Sequence, residues 1–178
     1  LFFRIYADRA KNGLTKRANK YKIDDQNNII AVVGAFLKQI NGNYKVGNSE
    51  HFIIEACEYV ESFLKFSPKT GIVLNIDNDH LDYFKNFENI VTAFRKYVAL
   101  LPYDGLLVVN ADDKNCLDLR NYTEAKFVTF GIESEKANFI ARNITYDKNG
   151  FAKFDVYHKY GTDAVIDLSL NTGLFSTI

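Results

Sequence analysis

The residues best suited to chemistry lie at the ends of two short apolar runs. Glu55 closes the run at 52–56, and the polar segment 77–80 (DNDH) follows the run at 71–76. Carboxylate oxygens are the ligands that Mg2+ prefers, and a neutral imidazole can bind or support a divalent metal. If the two runs are neighbouring parallel strands, their carboxyl ends bring Glu55 and His80 into one crevice. The two residues are therefore candidates for a metal or phosphate site.

A plainer interpretation of the second group is also open. Asp79 can cap a helix that starts near Leu81, Asp82 favours the first turn of that helix, and His80 is then an incidental surface residue. Histidine is an unusual ligand for Mg2+, which favours this interpretation. A helix N-terminus disfavours the imidazolium form, however, so a neutral His80 also fits a role beside a metal.

The elements that must position these residues alternate between strand and helix. A helical pattern at 57–66 joins the two apolar runs, which predicts one parallel βαβ unit. On this helix Glu58 and Glu61 are expected at a solvated edge and Tyr59 in the core. Further elements are predicted from the same patterns: strands at 28–34, Leu106–Asn110 and Lys126–Gly131, an amphipathic helix at 81–100 and a short helix at 114–121.

The pattern changes after residue 131. Short alternating segments at 138–146, 151–158 and 164–170 are separated by glycine-containing turns, which predicts an antiparallel meander with His158 on its surface. Lys126–Gly131 is then the last strand of the main sheet. The predicted fold class is α/β, with three layers, a mainly parallel sheet and a small antiparallel sheet near the carboxyl end.

Composition excludes several classes of function. The 178 residues suit one α/β domain, or one domain with a small attachment. Lysine and arginine number 22, as do aspartate and glutamate, and this balance indicates neither nucleic acid nor a membrane surface as a partner. No segment approaches the roughly 20 apolar residues that span a bilayer. Two cysteines without metal-ligand spacing indicate a reduced, cytoplasmic protein.

Several segments, in order, resemble the central ATPase domain of the Mur ligases. Residues 55–87 (EACEYVESFLKFSPKTGIVLNIDNDHLDYFKNF) contain the family's E-A-(C/D)-E and N-(I)-x-x-D-H-(L/M)-D motifs. The resemblance continues through 40–52 (INGNYKVGNSEHF) and 100–113 (LLPYDGLLVVNADD), and it covers the chain from Ile29 onwards. Within the family, the sequence is most similar to the member that joins L-alanine to UDP-N-acetylmuramate.

The resemblance implies an ATP- and Mg2+-dependent ligase of peptidoglycan synthesis. It implies that the sugar carboxylate forms an acyl phosphate with ATP and that the amine of L-alanine then displaces phosphate. Glu55 and His80 are then the catalytic and metal-binding residues. The resemblance also implies that Gly34 and Asn75 contact the nucleotide. It implies contacts to the UDP-sugar for Asn43 and Lys45. A plain turn explains the second pair equally well. The segment 110–113 is implied to be structural or to line the nucleotide cleft.

The sequence departs from the family pattern at one point. The family strand IAV-x-G continues into a loop, G-T-H-G-K-(T/S), whose backbone N–H groups and lysine hold phosphates, whereas here Ala35 follows Gly34 directly. We expect the intervening residues to belong to the intact protein, because losing a loop and helix from a parallel sheet would remove core surface. A chain that truly lacks them cannot hold a triphosphate in the family manner.

The expected organisation is an amino-terminal segment, 1–28, which the patterns do not place, and an incomplete central domain, 29–178. The chain is expected to be a fragment that is inactive alone. Two alternatives stay open. One is another Mur-type or folylpolyglutamate ligase, and the other is a non-catalytic truncated domain that binds no ATP.

Overall fold

The computed structural model describes residues 3–5, 30–37, 41–47, 52–146, 148, 152–158 and 166–168. The strands in these ranges are β1 (Phe3–Ile5), β2 (Ile30–Leu37), β3 (Gly42–Lys45), β4 (Phe52–Ala56), β5 (Thr70–Val73), β6 (Leu106–Asn110), β7 (Lys126–Gly131), β8 (Phe139–Tyr146), β9 (Ala152–His158) and β10 (Ile166–Leu168). The helices are α1 (Leu81–Phe84), α2 (Phe87–Ala99) and α3 (Lys114–Asp118), with 3-10 helices at Tyr59–Lys65 and Leu119–Tyr122. The predicted α/β fold class is confirmed.

The larger sheet has six strands in the order β10-β9-β8-β7-β6-β5. Strands β5 to β8 are parallel, and β9 and β10 continue antiparallel, so the predicted meander extends the main sheet. The prediction that β7 is the last strand of the main sheet is wrong. The Thr129 N–H donates to the Asn138 side chain at 2.9 Å and the Asn138 N–H donates to the Thr129 hydroxyl at 2.9 Å, which draws β8 onto the edge of β7.

The smaller sheet has four strands in the order β1-β4-β2-β3. Strand β2 is parallel to β4 and antiparallel to β3, and β1 is antiparallel to β4. The predicted parallel pairing of β4 with β5 is therefore wrong, because β1 occupies the free edge of β4 and itself contacts β5. The two strands still belong to adjacent sheets, and their carboxyl ends lead into the same region of the molecule.

Helix α2 supplies much of the core. Its apolar face is buried against β5 and β6, as is expected of an amphipathic helix on a sheet. The fully buried members of this core include Val73, Phe94, Tyr97, Leu107 and Val109. Full burial of a side chain such as Phe94 contributes about 1.5–3 kcal/mol. None of the helices in the described ranges is long and apolar enough to cross a membrane.

The predicted helix at 81–100 is broken into α1 and α2. Lys85 adopts a φ of 70°, and the Asn86 side chain accepts the Asn89 N–H at 3.0 Å, which begins a new helix. An asparagine in this position is a strong helix cap, so its local hydrogen bond overrides the continuous apolar pattern.

The segment that joins β4 to β5 is also less regular than predicted. It is a distorted 3-10 helix, Tyr59–Lys65, in which Val60 and Glu61 have φ values of 49° and 52°. The Ser62 hydroxyl lies 2.8 Å from the Cys57 carbonyl and 3.0 Å from the Tyr59 carbonyl. Such side-chain bonds compete with a helical ladder. We call Cys57–Lys65 the crossover segment.

Candidate functional site

Glu55 lies at the carboxyl end of β4, beside Gly34 on the parallel strand β2. Its Oε2 accepts the Gly34 N–H at 2.8 Å. Its Oε1 is buried and has no hydrogen-bond partner among the residues that the structure describes. A buried carboxylate oxygen without a donor is costly. Glu55 is therefore held through one carboxylate oxygen, while the other is buried and lacks a donor among the described residues.

Strand β2 is bulged at the position of Gly34. Its pairing with β3 shifts between Val32, which faces Tyr44, and Leu37, which faces Gly42. Four residues, 33–36, thus stand opposite the single residue Asn43, and the ladder is disrupted there. The strand is nevertheless continuous across the junction at which the family's phosphate loop is missing.

His80 immediately precedes α1 in a left-handed conformation, with φ 52° and ψ 41°. Its N–H donates to Asp79 Oδ1 at 2.7 Å, and its carbonyl accepts the Phe84 N–H at 2.9 Å. The structure thus corrects one interpretation of the sequence, since the residue at the cap position is His80 and Asp79 does not cap the helix. The short Asp79 contact within the turn accounts for the difference.

Glu58 is the site residue that the sequence analysis missed. It was placed at a solvated helix edge, yet it is only 3% exposed, and its Oε1 lies 3.6 Å from His80 Nε2. Asp79 Oδ1 lies 3.8 Å from the other ring nitrogen, Nδ1. One potential ligand atom from each of Glu58, Asp79 and His80 falls within 4.8 Å of the others. The distorted crossover segment turns Glu58 inward, which a regular helical pattern could not indicate.

Tyr59 covers one face of His80. The two ring centroids are 4.7 Å apart, and the Tyr59 hydroxyl donates to Asp82 Oδ2 at 3.3 Å. Tyr59 is 38% exposed, so its predicted place in the core is wrong. The prediction for Glu61 holds better, since Glu61 pairs with Lys96 at 2.8 Å on the partly exposed side of the segment.

The predicted site residues are brought only partly together. Glu55 and His80 share no hydrogen bond or ion pair among the described residues, but Glu58, three residues beyond Glu55, contacts His80 directly. Asn75 is exposed between β5 and the turn that carries His80. Asn43 is exposed and Lys45 is half-buried, both on β3. The roles of all six predicted site residues stay predictions, namely those of Glu55, His80, Gly34, Asn75, Asn43 and Lys45.

The carboxylates of this region fit a divalent cation. Glu55 Oε1 is buried and has no hydrogen-bond partner in the described part of the chain, and oxygen donors suit Mg2+. A triphosphate fits less well, because the residues of a phosphate loop do not stand between Gly34 and Ala35 and the Gly34 N–H is taken by Glu55. The residues of this region thus fit a cation better than a triphosphate.

The acidic segment after β6 serves the fold. Asp112 accepts N–H groups from Ile132 and Ser134 at 2.7 Å each and from Glu133 at 3.2 Å. Asp113 caps α3 and accepts the Ile76 N–H at 2.8 Å. These hydrogen bonds tie β6, β7 and the end of β5 together. Of the two implied roles for this segment, the structural one is the better supported.

Comparison with known proteins shows that the chain is similar to one family. The model of the Mur ligase middle domain matches residues 13–172. A UDP-N-acetylmuramate–L-alanine ligase from Caldicellulosiruptor saccharolyticus is 48% identical over 132 residues, which is 74% of this chain and 29% of that protein. The corresponding ligase of Clostridium novyi is 46% identical over 140 residues, 79% of this chain and 30% of that protein.

A solved structure shows the same fold. The UDP-N-acetylmuramate–alanine ligase of Thermotoga maritima superposes with a TM-score of 0.64 at 24% identity, over 81% of this chain and 31% of that one. This chain therefore spans a little under a third of the length of the relatives that it matches.

Proposed function

Because the chain belongs to the Mur ligase family, as the match over residues 13–172 shows, we propose that its gene product joins L-alanine to UDP-N-acetylmuramate with ATP. The observation that carries the proposal is the 46–48% identity to ligases named for that reaction. In both relatives the aligned segment is longer than 120 residues, and it includes the motifs that contain Glu55 and His80. The residues of this chain form the cation-binding side of the middle domain.

Glu55 and His80 are the residues that would hold Mg2+. Oε1 of Glu55, which lacks a hydrogen-bond partner in the part of the chain that the structure describes, would supply the oxygen ligand, while Oε2 keeps its hydrogen bond to Gly34. His80 binds or supports the ion from the neighbouring turn. A bound Mg2+ neutralises charge on transferring phosphoryl oxygens, which is the main requirement of phosphoryl transfer.

Two further pairs of residues are proposed to contact the substrates. Gly34 and Asn75 lie near Glu55 and the His80 turn, respectively, and are proposed to contact the nucleotide. Asn43 and Lys45 lie on β3 beside the bulge and are proposed to contact the UDP-sugar. The amide bond would form when the substrate carboxylate, activated as an acyl phosphate, reacts with the L-alanine amine.

A second candidate function rests on the unbroken strand β2. Because β2 continues through Gly34 and Ala35, a chain without a phosphate loop can still form this sheet. A gene product with the same direct junction would be a folded, non-catalytic domain. Sequencing the intact gene across this junction separates the two, since a G-x-x-G-K-(T/S) loop supports the enzyme.

The proposed activity is tested by measuring phosphate release by the intact gene product with ATP, UDP-N-acetylmuramate and L-alanine. We expect release to require both other substrates and to be lost in Glu55→Ala and His80→Ala. The loss should exceed the roughly 10–100-fold that removal of an outer partner of a metal ligand costs. Near-normal turnover in both variants would defeat the site assignment.

Two refined variants separate chemistry from folding. Glu55→Gln keeps an oxygen for the Gly34 N–H but removes the charge, and His80→Asn removes the imidazole with a residue that tolerates a positive φ. Glu61→Gln is the matched control, because it removes a carboxylate from the neighbouring crossover segment at a position paired with Lys96. The control should keep its turnover within about twofold, since exposed ion pairs contribute little.

A further inference from the structure

We propose that Glu58 is a positioning residue that fixes the His80 imidazole, so that His80 presents Nδ1 to the divalent cation. The inference deepens the proposed function and rests on it for the presence of the cation. It concerns which nitrogen binds and what holds the ring, neither of which the EACE and DHLD motifs reveal.

The first support is the burial of the Glu58 carboxylate. Its side chain is 4% exposed, Oε1 lies 3.6 Å from His80 Nε2, and Oε2 has no hydrogen-bond partner among the described residues. A buried carboxylate requires a positive or hydrogen-donating neighbour. Within the described ranges, His80 Nε2 is the only basic nitrogen within 4.0 Å of the Glu58 carboxylate. Their separation exceeds that of a hydrogen bond by about half an ångström.

The second support is that the ring is restrained on its face and at its backbone. The Tyr59 ring lies over the imidazole with centroids 4.7 Å apart and planes tilted by 38°, and its hydroxyl donates to Asp82. The His80 N–H is bound to Asp79, which fixes the turn from which the ring projects. These restraints leave the ring little freedom to exchange its two nitrogens by flipping.

The third support is the difference between the two sides of the ring. Nε2 faces Glu58, whose side chain is 4% exposed, whereas Nδ1 faces Asp79, whose side chain is 55% exposed. A cation arrives from solvent and therefore meets Nδ1 and Asp79 first. A carboxylate that accepts the N–H of the second nitrogen orients a metal-binding histidine and raises its basicity.

The backbone of the crossover segment is bent directly after Glu58, the residue that contacts His80. Val60 and Glu61 have positive φ, which is unfavourable for a β-branched residue, and the Glu61 N–H donates to the Glu58 carbonyl at 2.8 Å. This tight turn directs the Glu58 side chain inward. Strained residues of this kind persist where surrounding structure enforces them, often at binding sites.

The test measures Mn2+ affinity by electron paramagnetic resonance in the full chain and in Glu58→Gln. We expect the variant to bind Mn2+ about 10–100-fold more weakly, the cost typical of losing a carboxylate partner of a metal-bound histidine. Its thermal midpoint should not fall, because the substitution removes a buried charge while keeping the shape of the side chain. The control Glu61→Gln removes the same charge three residues away and should bind Mn2+ as the parent does.

A second measurement identifies the nitrogen. With 113Cd2+ as the probe and 15N-labelled histidine, the one-bond coupling should appear at Nδ1 of His80 in the parent chain. Comparison with His80→Asn assigns this signal among the three histidines. In Glu58→Gln we expect the coupling to be lost or divided between both nitrogens.

The outcomes distinguish this inference from the proposed function. If the parent chain binds neither ion, the cation site itself is overturned, and the inference falls with it. If the parent binds Mn2+ but Glu58→Gln binds it equally well, or if coupling appears at Nε2, only the inference is overturned. A lowered thermal midpoint with unchanged affinity would mean that Glu58 is purely structural.

Discussion

At the scale of single residues, two carboxylates at strand ends behave in opposite ways. Asp112 is satisfied by three backbone N–H groups, whereas Glu55 keeps one buried oxygen that no donor within the described ranges reaches. Burial tends to raise the pKa of Asp112, but the hydrogen bonds from Ile132, Ser134 and Glu133 outweigh it and hold that pKa below 3.8. A carboxylate whose oxygens both accept backbone hydrogen bonds is a poor ligand for a cation, whereas a carboxylate with an unpaired oxygen is a good one.

Asp112→Asn should lower the free energy of unfolding at pH 7 by about 1 kcal/mol, a value reduced for solvent exposure. The depressed pKa means that the Asp112 contribution is complete above its unfolded value of 3.8 and declines as pH falls through the folded value. Urea unfolding should give the same difference in unfolding free energy between variant and parent at pH 7 and at pH 5. Below pH 3.5 that difference should be smaller. A difference that grows toward low pH would contradict this account. Asp104→Asn breaks an exposed ion pair with Lys69 and should lower the free energy of unfolding by less than Asp112→Asn does.

At the scale of elements, the strands were predicted well and the helices less so. Strands β6 and β7 have the predicted bounds because a short apolar run between turns has few alternatives. The crossover segment and the α1–α2 break were missed because single polar contacts from Ser62 and Asn86 decide them. The buried Glu58 was missed for the same reason, since its orientation depends on that distortion.

Asn86→Ala should destabilise the protein by about 1 kcal/mol, because the first turn of α2 loses the acceptor for the Asn89 N–H. Asn86→Asp keeps a capping oxygen and should restore most of the loss. Chemical denaturation of the three proteins measures the effect. Equal stability of the alanine variant and the parent would show that the break in the helix is set elsewhere.

At the scale of the whole molecule, the fold class and family follow from the sequence, but the sheet arrangement does not. The strand β1 lies far from β4 in the chain, and no local pattern shows that it takes the edge expected for β5. The expected boundary at residues 28 and 29 stays a prediction, as do the cytoplasmic location and the assignment of the site. Part of the chain that would bear on the boundary, including residues 6–29, lies outside the described residues.

The whole-molecule architecture also sets a limit on this chain. Ala35 follows Gly34 directly inside β2, so no phosphate loop interrupts the strand at the position where the family has one. We therefore expect the 178-residue chain to bind Mg-ATP weakly, with a dissociation constant above the micromolar range in calorimetry. Submicromolar binding would show that the missing loop is not needed.

The most direct test of the central claim is a calorimetric titration of Mg-ATP into the intact gene product and into its Glu55→Gln and His80→Asn variants. If these residues hold one magnesium nucleotide, the parent binds and both variants lose at least tenfold in affinity while remaining folded. Two variants that bind Mg-ATP as tightly as the parent would contradict the claim.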